Sequence, residues 1–149
     1  MPEKTIVHNF SSWDGLAIHA AKELLEEAFG KKLNSGYFSE KPLSLFIEKD
    51  WKGLAVVKDA NGLCYLDKLA VKKEFQNNGV ATQLLNAIFE KHPKVFWRTS
   101  ANNPANLYYF KNCTGCMKDK DWTVFWKNLG TEEIDKAVFF ALKRKPDFE

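Results

Sequence analysis

No apolar run in this chain comes near the ~20 consecutive residues that cross a bilayer as a helix. The start, Met1-Pro2-Glu3-Lys4, lacks the basic lead and apolar core of a secretory signal, so the default expectation is a cytoplasmic protein with no membrane partner. Cysteine is scarce. Three residues, Cys64, Cys113 and Cys116, cannot all pair, which argues against a secreted disulfide framework. Cys113-Thr-Gly-Cys116 has C-x-x-C spacing, but a zinc site needs two further ligands and none stands at compatible spacing, so no metal is expected. The net charge is only +3, with basic and acidic residues interspersed, and no clustered basic face points to nucleic acid. A mild positive balance also suits a binder of phosphates or of a dicarboxylate.

What is present reads as one ordinary α/β domain. A length of 149 residues suits a single core spanning 1–149, and 45% apolar with 28% charged residues is typical of globular chains. Ser11-Ser12 offers caps for a helix over Asp14 to Phe29, with Ala17, Ala21, Leu24, Leu25 and Ala28 on one face and Gly30 as the stop. Leu43 to Glu48 and Leu54 to Lys58 read as strands. Asp59-Ala60-Asn61-Gly62 reads as a hairpin turn into a strand over Leu63 to Val71. A second helix, with Ala81, Leu84, Leu85 and Ile88 at helical spacing, ends near His92-Pro93. Val95 to Thr99 is a further strand. Asn103-Pro104 starts a short helix, with Pro104 at its first position, running to about Lys111. Trp122 to Lys127 alternates as a strand, and Thr131 caps a last helix with Glu132 and Glu133 in its first turn and Lys143 and Arg144 in its last. The expected architecture is a mixed sheet with helices on both faces.

The most informative stretch is Gln76-Asn77-Asn78-Gly79-Val80-Ala81, between the Leu63–Val71 strand and the second helix. A polar loop opening a helix presents unpaired N–H groups and the positive end of the helix dipole, a setting that binds phosphate. Gly79 lets backbone approach a ligand, and Ala81 is small where the next turn passes. The pattern Gln-x-x-Gly-x-Ala resembles the acyl-CoA pyrophosphate loop of the GCN5-related N-acetyltransferases. That resemblance implies acetyl-CoA as cosubstrate. It also implies that Leu63–Val71 and Val95–Thr99 are parallel strands that splay apart, with the pantetheine arm in the gap and bonded to exposed backbone.

Further motifs narrow the resemblance. Tyr65-Leu66-Asp67-Lys68, Phe96-Trp97-Arg98, Asn103-Pro104-x-Asn106-x-x-Tyr109-Phe110-Lys111, Trp122-x-x-Phe125-Trp126 and the earlier Phe29-Gly30-Lys31-Lys32-Leu33 resemble the acetyltransferase domain of vertebrate-type N-acetylglutamate synthases, over about Glu23 to Pro146. Two departures stand out. Those synthases usually carry an N-terminal amino-acid kinase domain, whereas the expectation here is a stand-alone acetyltransferase domain. They also often read Trp-Arg-Ser-Arg where this chain reads Trp97-Arg98-Thr99-Ser100, so a second arginine is replaced by Ser100.

The resemblance implies substrate contacts for Lys31, Lys68, Arg98, Ser100 and Asn103. It implies contacts to CoA for Leu69, Val71, Gln76, Asn77, Asn78, Gly79, Val80, Ala81 and Asn106. Lys31, Lys68 and Arg98 would form a pocket for an acidic amino acid, Arg98 by bidentate grip of a carboxylate. From spacing alone, Lys68 reads as a strand lysine reaching to solvent, a reading the resemblance reverses, and Asn103 has a sufficient role as a helix cap. Tyr109 is the expected proton donor to the leaving thiolate, in preference to Tyr108. His8, His19 and His92 match no catalytic position. The expected reaction is acetyl transfer from acetyl-CoA to the α-amino group of glutamate, which would serve arginine biosynthesis. Another amine acceptor, a succinyl-CoA donor, or a non-catalytic acyl-CoA-binding subunit regulating an amino-acid kinase remain alternatives. A homodimer or association with a separate kinase stays open.

Overall fold

The computed structural model describes residues 6–148. The N-terminal residues Met1 to Lys4 considered above as a leader lie outside them. Seven strands form one sheet: β1 (Val7–Phe10), β2 (Ser44–Glu48), β3 (Gly53–Ala60), β4 (Leu63–Val71), β5 (Val95–Ser100), β6 (Gly115–Lys118) and β7 (Trp122–Lys127). Four helices accompany them: α1 (Ile18–Phe29), α2 (Val80–Lys91), α3 (Asn106–Asn112) and α4 (Thr131–Lys143). The strand order is β1-β2-β3-β4-β5-β7-β6. All neighbours are antiparallel except β4 and β5.

Alternation along the strands sorts side chains onto two faces. Leu45, Ile47, Leu54 and Val56 pack with Ala21, Leu24 and Leu25 of α1, while Phe96 and Val124 pack with Ala137 and Ala141 of α4. On the other face Phe46, Ala55, Val57, Trp97 and Phe125 meet α2 and Tyr109 of α3. Val80, Leu84, Leu85 and Ile88 are the buried stripe of α2, each worth about 1.5–3 kcal/mol of burial.

The two features that shape the functional region are both in β4. First, β4 meets β5 at one pair only, Tyr65 opposite Phe96, and beyond it the parallel strands diverge as expected. Second, β3 pairs Val56 with Lys68 but Val57 with Leu66, so Asp67 is an extra residue in β4. A bulge of this kind re-aims side chains. Here it turns both Asp67 and Lys68 toward the α1–α4 face, where Tyr37 and Asp147 bond them.

Several boundaries differ from expectation. The first helix begins at Ile18, not Asp14, and no side chain caps it. Ser12 instead accepts from the Asp14 N–H in a turn, and Gly15 at φ 75° interrupts helical backbone. Gly30 does end α1, in left-handed conformation. Asn61 and Gly62 both have positive φ, as a tight hairpin requires. Pro104 lies in the turn before α3 rather than at its first position. Thr131 is the first residue of α4, whose cap is Gly130 with its N–H donated to Glu133 Oε1 at 2.8 Å. Arg144 lies just past α4. Sequence patterning missed β1 and β6, four-residue strands at the sheet edges with mostly exposed or half-buried side chains and no clear alternation.

Candidate active site

A cavity of about 500 Å³ opens where β4 and β5 diverge. Its walls come from β4 (Tyr65 to Leu69), β5 (Trp97 to Ser100), the turn before α3 (Asn103), the middle of α3 (Tyr109), Lys31 after α1, and the segment after α4 (Arg144, Pro146 to Phe148). Lys31, Lys68, Arg98, Ser100, Asn103 and Tyr109, all singled out above as acceptor-site or catalytic residues, therefore line one space. Four cations, Lys31, Lys68, Arg98 and Arg144, face two carboxylates, Asp67 and Asp147, so two positive charges are left over in the lining.

Asp67 organises the cationic wall. Its side chain is 0% exposed. Tyr37 donates to Asp67 Oδ2 at 2.8 Å, Lys68 Nζ lies 3.3 Å and Lys58 Nζ 3.5 Å from the same oxygen, and Arg144 Nη2 lies 2.8 Å from Oδ1. The Arg144 contact is an ion pair out of hydrogen-bonding alignment. Burial pushes the Asp67 carboxyl up, but Lys68, Lys58 and Arg144 outweigh it and hold the group below its ordinary value. Burial and the adjacent Asp67 charge in turn push the Tyr37 phenol well up.

Arg98 is differently employed from the expected free clamp. Its Nη1 donates to the Ala141 and Arg144 carbonyls, both at 2.7 Å, and its guanidinium stacks 3.8 Å from the Trp122 ring. It thus holds the C-terminal end of α4, whose unpaired carbonyls and dipole attract a cation. Its Nε and Nη2 have no partner among the described residues, which preserves three N–H donors on two nitrogens for a ligand. Lys31 is exposed and likewise has no partner among the described residues. Ser100 ends β5 on the Arg98 side, exposed and uncharged.

Asn103 closes a turn ahead of α3 and is not its cap, which is Ala105 with no side-chain cap bond. Its Oδ1 accepts the Ala105 N–H at 2.8 Å, while the residue faces the cavity. Asn106, expected at the cofactor, is turned inward. It is buried, its Oδ1 accepts from the Thr99 hydroxyl, and its Nδ2 donates to the Ser100 and Ala101 carbonyls. Its side chain fixes the β5–α3 connection, a positioning role in place of the expected contact.

Tyr109 packs against Trp97 and Phe125, and its hydroxyl makes no hydrogen bond among the described residues. Burial pushes its pKa up to about 12, so the phenol stays protonated at neutral pH. Trp97 adds a buried indole N–H with no partner.

The loop before α2 fits a phosphate. Gln76 donates from Nε2 to the Val71 carbonyl at 3.3 Å, tying loop to strand. Asn77 and Gly79 adopt positive φ, and Gly79 caps α2 with no side chain in that role. The N–H groups of Asn77, Gly79, Val80 and Ala81 have no acceptor among the described residues, so they face outward as an anion-binding turn. Val71 is buried at the strand end and Leu69 lines the cavity, joining this loop to the splay.

The residues that patterning missed are Arg144 and Asp147. Nothing in their spacing marks them, since only the return of the chain after α4 brings them to β4. His92 bridges Ser44 at 2.9 Å and Cys64 at 3.5 Å, outside the cavity, in keeping with a structural role. Cys113 closes α3 and Cys116 lies in β6. Both are half-buried, and burial pushes the Cys113 thiol up.

Residues 8–143 match the family model described as N-acetyltransferase of N-acetylglutamate synthase. Among curated relatives, an acetylglutamate kinase of Xanthomonas campestris is 34% identical over 91% of this chain and 34% of its own length. A mitochondrial amino-acid acetyltransferase of Lodderomyces elongisporus is 37% identical over 76% of this chain and 21% of its own. The mitochondrial N-acetylglutamate synthase of Danio rerio is 28% identical over 95% of this chain and 28% of its own. The chain thus spans about a third or less of these relatives. Among solved structures, Arabidopsis thaliana NAA60 with acetyl-CoA superposes at TM-score 0.65 and 13% identity, covering 83% of this chain and all of that one. The ribosomal-protein-S18-alanine N-acetyltransferase of Escherichia coli does so at 0.64 and 13%, covering 85% and 97%.

Proposed function

This chain belongs to the N-acetyltransferase family of N-acetylglutamate synthase, and we propose that it transfers the acetyl group of acetyl-CoA to the α-amino group of glutamate. One observation carries this reading: a net cationic cavity at the β4–β5 opening, with the unbonded Tyr109 hydroxyl on its wall. A dicarboxylate that presents a free amine matches the two uncompensated positive charges. The outward N–H groups of Asn77 to Ala81 suit the pyrophosphate of CoA, and the splayed strands leave room for its arm between loop and cavity. Solved structures of the same fold with CoA or acetyl-CoA support the cosubstrate.

The chemistry follows from this placement. Holding both substrates in one cleft supplies much of the rate by proximity. The neutral amine attacks the thioester carbonyl, the C–S bond breaks, and the electron pair leaves on sulfur. Tyr109 gives the thiolate its proton and regains one from water. The proton lost by the attacking amine passes to water. Asp67 is a poor candidate for that base, because its buried carboxylate stays held by cations.

Ser100 motivates a second reading, a different amine acceptor or a succinyl donor, because a guanidinium is absent where the resemblance places one. Relatives named acetylglutamate kinase that match this chain over 34% of their length also keep a separate amino-acid kinase as a candidate partner. Thiol release from acetyl-CoA and succinyl-CoA, measured across glutamate, aspartate, glutamine and neutral amines, decides among these. Glutamate with acetyl-CoA should give the highest kcat/KM. Preference for another pair would replace the acceptor or donor, and CoA binding without turnover on any amine would favour a regulatory subunit.

A further inference from the structure

The chain does not stop at the end of α4. It turns back over the cavity, and Asp147 reaches the cationic wall. Asp147 Oδ2 lies 2.8 Å from Lys68 Nζ and 3.3 Å from Arg144 Nη2. A carboxylate on a short side chain is therefore already seated between a lysine and an arginine inside the cavity. We propose that Lys68 and Arg144 together form a carboxylate-binding site, that Asp147 fills it in the free protein, and that a carboxylate of the acidic acceptor exchanges with Asp147 on binding. This rests on the reading above that the acceptor is an acidic amine.

The wall is built to survive that exchange. When Asp147 leaves, Lys68 keeps Asp67 at 3.3 Å and Arg144 keeps it at 2.8 Å. The two cations stay in place, but with Lys58 they surround a single buried carboxylate and remain undercompensated. That excess is what an incoming anion meets. Asp67 is fully buried, so it is the fixed member, whereas the Asp147 side chain is 20% exposed and is the member that can leave.

The segment is held by few contacts. The Asn34 N–H donates to the Asp147 carbonyl at 2.7 Å, and Asn34 Nδ2 donates to the Pro146 carbonyl at 3.4 Å. Phe148 rests on Phe29 at 5.0 Å and near Lys68 at 5.4 Å, beside a single bridge to Leu33. The segment itself belongs to no helix or strand, which places it at the easily opened end of the structure.

Arg144 also answers the vacancy at Ser100. Both residues line the same cavity. Arg98 Nη1 grips the Arg144 carbonyl, which fixes where the second guanidinium sits. The cavity thus holds two guanidinium groups without an arginine at position 100. Displacement lowers apparent affinity in proportion to how firmly Asp147 holds the site.

Steady-state kinetics of the full chain test this. Asp147→Asn keeps the shape and removes the charge. Its KM for glutamate should fall by about three- to tenfold, as expected for losing a competing, partly exposed ion pair, while the acetyl-CoA KM stays put. Arg144→Gln should raise the glutamate KM by about tenfold or more, again without moving the acetyl-CoA KM. Lys145→Ala, exposed on the same segment, should match wild type. Melting curves and the thermal shift with acetyl-CoA confirm that each variant is folded, and Asp147→Ser serves if the asparagine variant is not. An unchanged or higher glutamate KM in Asp147→Asn overturns the exchange. An equal fall for an amine without a carboxylate also overturns it, because the segment would then act by bulk alone. Turnover of glutamate with an unresponsive KM sinks this inference only, whereas no turnover with any acidic amine sinks the functional reading and this inference with it.

Discussion

Asp67→Asn is the sharpest perturbation of the fold's electrostatics. The change is isosteric, and with the amide oxygen at the Oδ2 position Tyr37 can still donate to it. What it removes is the one buried negative charge that faces Lys58, Lys68 and Arg144. Stripping one partner from a buried ion pair costs about 3–5 kcal/mol, because the remaining charge is left desolvated and unpaired. Here the surviving cations are partly compensated. Lys58 keeps Glu40 at 2.7 Å, and Lys68 and Arg144 keep Asp147. The loss should therefore fall at the lower end, about 3 kcal/mol. At about 2–4 °C per kcal/mol for a chain of this size, Tm should drop by about 6–12 °C. Urea titration at pH 7 gives the free energy, and thermal melts give the shift. The pH dependence is a second check. Asp67 is held below its ordinary 3.8, so its contribution is full above 3.8 and is lost as pH falls through the lower folded value. The gap between wild type and variant should accordingly narrow below about pH 3.8. A loss under about 1 kcal/mol, the size of an exposed pair, with a gap that ignores pH, would refute the reasoning.

Three further outcomes are expected. Gly79→Asp places a carboxylate and a side chain at a left-handed position in the outward N–H cradle, so the thermal stabilisation by acetyl-CoA should vanish; an unchanged shift would remove the loop from the cofactor site. Arg98→Ala should raise the glutamate KM well above any change in the acetyl-CoA KM, and should also cost stability by freeing the Ala141 and Arg144 carbonyls; equal effects on both substrates would speak against a carboxylate contact. Tyr109→Phe should lower kcat by roughly tenfold to a hundredfold with acetyl-CoA binding intact, and Tyr108→Phe should be near wild type; activity retained in Tyr109→Phe would leave that residue a packing role only.

What was legible in the sequence was whatever had local periodicity or a motif. The β3–β4 hairpin is written in Asn61-Gly62, and α2 in the spacing of Ala81, Leu84, Leu85 and Ile88. The divergence of the parallel strands β4 and β5 followed from the fold that the motifs implied. Helix starts were less legible, because polar residues near Asp14 and Pro104 fit turns as well as caps. The acceptor side of the cavity was half legible. Lys31, Lys68 and Arg98 came from motifs, yet the ion partners of Lys68 and the carbonyl partners of Arg98 did not. Asp67 acquires its role through a bulge, and the register slip between Val56 and Val57 has no local signature. Arg144 and Asp147 reach β4 only through tertiary return of the chain. The side-chain setting of Asn106 is not legible in the sequence, because a buried asparagine and a ligand-facing one look alike there, and only its three internal partners tell them apart.

Carbon-13 NMR with acetyl-CoA labelled at the acetyl carbonyl tests the central claim most directly. Incubated with the purified chain and glutamate, the thioester carbonyl signal should be replaced one-for-one by the amide carbonyl of N-acetylglutamate, in step with free thiol. Thiol release that yields labelled acetate in place of amide, or a thioester signal that persists while CoA is bound, would contradict it.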